Sequence, residues 1–104
     1  MISYIKTENS FNKLLKKGTK HSEDITLLFT SSYDKFSQDL LGEIKKGNHN
    51  LEKELHVVDS FETPHAFVAC NTSKVPCLIN INNRKKNIEY YVPFIYEKLG
   101  VSLP

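Results

Sequence analysis

The segment Thr72-Ser73-Lys74-Val75-Pro76-Cys77-Leu78-Ile79-Asn80-Ile81-Asn82-Asn83 constrains the fold more than any other part of the chain. Leu78, Ile79 and Ile81 make a short β-prone run, and Asn82-Asn83 can supply the positive-φ residues of a two-residue hairpin turn. Pro76 has no N–H to give a ladder, which puts it at the first position of that strand or at its edge. It is also a residue type for which a cis peptide is tolerated, typically in a sharp turn. A Val-Pro entering a strand leaves the Val75 backbone at a sheet end, free to pair with another segment.

A chain of 104 residues has room for one core, so residues 1–104 are expected to form a single domain. With 39% apolar and 25% charged residues it reads as globular rather than disordered. A net charge of +2 argues against nucleic acid or an anionic membrane as partner. The basic clusters Lys13, Lys16, Lys17, Lys20 and Arg84, Lys85, Lys86 read as solvated helix and edge-strand faces. No leader pattern or run of transmembrane length is present, and the expected location is cytoplasmic. Cys70 and Cys77 make no disulfide framework, and His21, His49, His56 and His65 fall at no metal-ligand spacing. No metal is expected, and the oligomeric state is open.

Taken in order, Ile2, Tyr4 and Ile5 open a strand, and Thr7 caps a helix whose apolar stripe is Phe11, Leu14 and Leu15, ending at Gly18. Ile25-Thr26-Leu27-Leu28-Phe29 is nearly continuous apolar, as a central strand covered on both faces requires. After Thr30-Ser31-Ser32 a second helix carries Phe36, Leu40, Leu41 and Ile44 on one stripe and stops at Gly47, with Gly42 marking close packing. Leu55, Val57 and Val58 form another buried strand. Thr63-Pro64 then has the form of an N-cap and first helical residue, opening a short helix with Phe67 and Val68. The Pro76 strand follows, with Arg84 to Ile88 as its charged hairpin partner. A last helix carries Tyr91, Val92, Ile95 and Leu99, with Pro93 in its first turn and Gly100 after it. Tyr91, Phe94 and Ile95 are assigned to the core, and Tyr90 or Tyr96 to the surface. The order β-α-β-α-β-α-β-β-α predicts an α/β fold: a mixed sheet between two helical layers.

These residues resemble a thioredoxin-like domain over essentially the whole chain. The resemblance rests on Phe29 closing the central strand, Tyr33 four residues later, Val57-Val58-Asp59 followed by Pro64, and Val75-Pro76 before a hairpin. It implies a three-layer sandwich in which Pro76 is cis and sits against the active-site helix. Where the family has Cys-x-x-Cys, this chain reads Asp34-Lys35-Phe36-Ser37. The family's buried acid falls at Leu28 and its partner lysine at Val57. Dithiol exchange needs an attacking thiolate and a resolving sulfur, and neither Asp34 nor Ser37 supplies one.

Two functions follow from the resemblance. The first is a redox-inactive module binding a protein or extended peptide through Tyr33, Asp34, Lys35, Lys74, Val75 and Pro76, with no cofactor. The second is a glutaredoxin-like or glutathione-transferase-like, thiol- or glutathione-dependent oxidoreductase using Cys77, its thiol activated by a helix N-terminus or by Lys35. From the residues themselves, Asp34 and Ser37 read as a cap and a small polar helix residue rather than catalytic groups, and Cys77 as a packed core thiol.

Overall fold

The chain runs β1 (Ile2–Ile5), α1 (Glu8–Thr19), β2 (Ile25–Thr30), α2 (Lys35–Lys45), β3 (Leu55–Asp59), α3 (Pro64–Ala69), β4 (Cys77–Asn82), β5 (Lys85–Glu89) and α4 (Val92–Leu99). This is a computed structural model that describes residues 2–47, 49, 51 and 53–103. The element order is the expected one. The five strands form one sheet in the order β1-β3-β2-β4-β5. β1, β3 and β2 pair in parallel, which requires the crossover helices, while β4 runs antiparallel to β2 and to β5.

The alternation of side chains along β2 builds two cores. Leu27 and Phe29 join Phe11 and Leu14 of α1, Ala66 of α3, and Val58, Ile79 and Ile81 on one face. Leu28 joins Leu40, Leu41 and Ile44 of α2, Ile95, Tyr96 and Leu99 of α4, and Leu55, Val57 and Leu78 on the other. Each such leucine or phenylalanine, taken out of water, contributes about 1.5–3 kcal/mol. His56 of β3 is nearly enclosed, and burial holds its imidazole below the usual histidine range against the opposing pull of Glu54.

Several local expectations are corrected by tertiary contacts. The β4–β5 turn consists of Asn83 and Arg84, with φ of 53° and 64°, rather than Asn82-Asn83, and Arg84 belongs to the turn and not to β5. The Arg84 guanidinium explains the shift: its Nε donates to Ser22 Oγ at 2.8 Å and its Nη2 to the Lys20 carbonyl at 3.4 Å. Those contacts offset the roughly 1–2 kcal/mol that a left-handed arginine costs. Thr63 precedes α3, but its hydroxyl makes no cap; it donates instead to the Ile5 carbonyl at 3.1 Å, tying α3 to β1.

The helix stripes are also shifted. In α2 the buried set is Ser37, Leu40, Leu41 and Ile44, spaced i, i+3, i+4, i+7, and Phe36 stands outside it, exposed. In α4 the covered set is Val92, Ile95, Tyr96 and Leu99 at the same spacing. Tyr91 and Phe94, assigned to the core from the sequence, are exposed, and Tyr96 is buried. Val68 points outward from α3.

The two helical glycines exchange their expected roles. Gly18 does not end α1, which runs to Thr19 with Lys20 as its C-cap. A Cβ at Gly18 would lie 2.9 Å from Ile81 Cγ2 and 3.2 Å from Ile25 Cγ1, so α1 crosses β2 and β4 there at glycine-only distance. A Cβ at Gly42 would meet nothing within 4 Å. Gly42→Ala is therefore expected to stabilise the protein by about 0.5–1 kcal/mol through helix propensity alone. Gly18→Ala is expected to lose about 1 kcal/mol, because overpacking of about 1–3 kcal/mol outweighs the same propensity gain. Urea midpoints for the pair check this; a stabilised Gly18→Ala would mean that α1 does not press on Ile81.

Candidate functional site

The β2–α2 junction places the first group of expected site residues. Asp34 is the N-cap of α2 and accepts at Oδ2 from the Ser37 amide and the Ser37 hydroxyl, both at 2.8 Å. The Ser37 oxygen in turn accepts from the Ser31 amide at 3.3 Å, and Gln38 Nε2 donates to the Ser31 carbonyl at 2.9 Å. Ser37 has no solvent exposure, so its hydroxyl is engaged on both sides in a closed network. The base in contact with that hydroxyl is the Asp34 carboxylate, but with no exposure the Ser37 oxygen is out of reach of a substrate, so the pair acts as a cap. Such a cap contributes about 1 kcal/mol to helix stability. Lys35 pairs with Asp39 one turn on, at 3.1 Å and in solvent.

A second carboxylate shapes the neighbouring loop. Asp59, at the end of β3, accepts from Ser32 Oγ at 3.0 Å and from the Phe61 and Glu62 amides at 2.9 and 3.3 Å. It thereby fixes the loop that lays Phe61 against Tyr33, their rings 5.2 Å apart at 64°. Tyr33 is 81% exposed and Phe61 67%. Phe61 is not among the site residues expected from the sequence: the Asp59 turn is local, but the ring it meets, Tyr33, belongs to the loop before α2.

The β4 entrance supplies the second group. The antiparallel register sets Cys77 opposite Phe29, so the loop leading into β4 and the turn leading into α2 share one end of the sheet. The Val75–Pro76 peptide bond is cis. Pro76 is buried and Val75 half-buried. Among the described residues, no hydrogen-bond partner reaches the Val75 amide or carbonyl. The preceding loop is tied to the far side of β5: Thr72 Oγ1 donates to Tyr90 Oη at 3.4 Å, and Lys74 Nζ sits 5.4 Å from the Tyr90 ring centroid. Tyr91 and Phe94, in edge contact at 4.9 Å, extend the exposed aromatic surface beyond it.

Cys77 does not join this surface. It is fully buried in the α1–α3 core, and burial pushes its thiol up, with Glu89 adding to the effect against hydrogen bonds from Thr72 and Tyr90. The expected activation by a helix N-terminus or by Lys35 is not what surrounds it; the Lys35 ammonium lies in solvent beside Asp39. Cys70, the C-cap of α3, is also buried, free and raised by burial. Leu28 and Val57, at the positions of the expected acid–lysine pair, are register partners in β2 and β3 and both buried. That location holds no titratable group, and a proton relay there has nothing to carry it.

Among the described residues no set of side chains is grouped to hold a metal ion, and no helix is long and apolar enough to cross a membrane. No family model and no curated protein matches the sequence. Solved structures do match. Thioredoxin O2 from Arabidopsis thaliana has a TM-score of 0.71 at 20% identity, over 95% of this chain and 94% of that one. Thioredoxin from Trypanosoma brucei brucei has a TM-score of 0.70 at 15% identity, over 95% and 88%. Fasciola hepatica thioredoxin has 0.68 at 14%, over 93% and 95%. With cysteines only at 70 and 77, the chain carries the thioredoxin fold without a Cys-x-x-Cys motif.

Proposed function

We propose that this protein is a redox-inactive thioredoxin-fold module that binds an extended segment of a protein partner across the Pro76 surface. The observation that carries the reading is the Val75 backbone, which has neither donor nor acceptor partner among the described residues and lies at the sheet end beside the start of α2. An extended chain laid there gains main-chain hydrogen bonds by strand addition, while side chains on alternate positions contact the flanking residues. Tyr33 and Phe61 offer rigid apolar area on one flank, and Lys74 and Lys35 offer cations. No cofactor is required. The glutathione-dependent alternative through Cys77 gains no support from its surroundings, since a neutral, enclosed thiol neither attacks a disulfide nor meets a tripeptide.

The test is selection of short peptides from a displayed random library on the wild-type protein. Selected peptides should bind at least about tenfold more weakly to Tyr33→Ala and to Val75→Pro, a loss of about 1.4 kcal/mol or more. Cys77→Ser in reductant should bind unchanged, and the Val75 amide should gain protection from hydrogen exchange on binding. Thermal melts of each variant exclude global unfolding as the cause. Peptides that bind equally to Tyr33→Ala and Val75→Pro, with no protection at Val75, would end this reading.

A further inference from the structure

The two basic clusters, some seventy residues apart in sequence, form a single surface. Lys13, Lys16, Lys17 and Lys20 recur at i, i+3, i+4, i+7, on the side of α1 opposite the buried Phe11, Leu14 and Gly18. They cover about 10 Å of helix. The Arg84 contacts to Ser22 and the Lys20 carbonyl bind the β4–β5 turn to the end of that helix. Lys86 is the register partner of Ile81, whose side chain lies in the core beneath α1, so Lys86 rises from the same face of the sheet. All six side chains are exposed. Among the described residues none is in an ion pair; the lysines that are paired are Lys35, Lys46, Lys53 and Lys98. Lys16 and Lys17 complement the C-terminal end of the helix dipole, a local effect of about 0.3–1 kcal/mol that leaves Lys13 and Lys86 unexplained.

We infer that this surface docks a short acidic segment, rich in Asp and Glu, of a protein partner. It lies at the opposite end of β4 from Pro76, a strand of six residues and about 17 Å away, so it is separate from the Val75 surface and does not depend on it. The chemistry favours carboxylates. The one guanidinium spends two of its five N–H donors, at Nε and Nη2, on Ser22 and the Lys20 carbonyl, so its side-on fork is not offered to a phosphate or a base, and lysine point charges carry the recognition. Among the described residues no tyrosine or phenylalanine stands among the lysines to stack a base; His21, beside Lys20, is the one ring there, and the exposed tyrosines and phenylalanines belong to other parts of the molecule. Ile88 is the single exposed aliphatic near Lys86, too little to insert into a bilayer. The positive field is also bounded. Glu8 stands in the first turn of α1, and Glu23 follows its end with its amide on the Lys17 carbonyl. A long polyanion would meet those carboxylates, whereas a short segment fits between them.

The experiment measures fluorescence anisotropy of a labelled pentaglutamate peptide, about 17 Å when extended, with the protein. Two variants of equal charge are compared: Lys13, Lys17, Lys20 and Lys86 all to Gln, and Lys45, Lys46, Lys53 and Lys98 all to Gln. The inference expects binding at low ionic strength, weakened about tenfold at roughly 0.15 M salt. It expects a further loss of at least about tenfold in the first variant, little change in the second, and unchanged binding in Val75→Pro. On the wild-type chain, amide shifts induced by the peptide should map to residues 13–22 and 83–87, which needs no variant to fold. Absence of binding, equal losses in both variants, or shifts elsewhere would overturn it. So would tighter binding of an equally charged DNA duplex or of phosphatidylserine vesicles, which would assign the surface to a different class of partner.

Discussion

Asp34→Cys combined with Ser37→Cys is expected to give a chain that cycles through disulfide exchange, where the wild type, on the function proposed above, is expected to show no turnover. Position 34 caps α2, where the helix dipole and free amides favour a thiolate, and position 37 lies one turn in, at 2.8 Å from it through the present Ser–Asp contact. The introduced thiol at 34 would attack a substrate disulfide to form a mixed disulfide. The thiol at 37 would then displace the reduced product, leaving a disulfide in the protein for dithiothreitol to reduce. Loss of the Asp34 cap costs about 1 kcal/mol, which a domain of this size tolerates. The rate is expected to be modest, because Leu28 and Val57 leave no buried acid or lysine to move the proton. Reduction of a protein disulfide by the wild type, the double variant and the single variant Cys77→Ser is the measurement. Turnover by the wild-type chain that is lost with Cys77→Ser would overturn the redox-inactive reading and transfer the chemistry to Cys77.

Phe29→Ala is expected to have the largest effect on stability. Phe29, one residue before the end of β2, is fully buried, in edge contact with Phe67 at 4.9 Å and Phe11 at 6.4 Å. Removing the ring leaves a cavity bounded by α1, α3 and β4, at a cost of about 3–5 kcal/mol. Against a total of about 5–15 kcal/mol, that leaves the protein close to unfolding at ordinary temperature. Tyr33→Ala, four residues on and 81% exposed, should change stability by no more than about 0.5 kcal/mol. Urea unfolding of both variants checks the contrast. A Phe29→Ala protein as stable as Tyr33→Ala would mean that β2 is not the centre of the core.

What was legible in the chain was the part decided by local physics. Apolar runs of strand length and period-3.6 stripes placed the nine elements of the described residues, because strands covered on both faces and helices with one apolar stripe pack as layers. Asp34 read as a cap and proved to be one, since capping involves only residues three apart. Phase within a helix was less legible. The α4 stripe beginning at Tyr91 was misread because Tyr91 is the N-cap and lies outside the helical phase; starting from Val92 yields Val92, Ile95, Tyr96 and Leu99 directly.

By itself, the order of apolar and polar residues determined the layered α/β architecture, the capped start of α2, and the absence of thiols from the four positions there. These depend on neighbours a few residues apart, whose interactions the chain order already states. Tertiary structure alone decided that Gly18 is a contact and Gly42 is not, that Phe61 lies on Tyr33, that Cys77 is enclosed, and that Lys13, Lys16, Lys17 and Lys20 share a surface with Arg84 and Lys86. In each case the controlling partner lies on another element, tens of residues away, and its distance is fixed only when the sheet and helices pack.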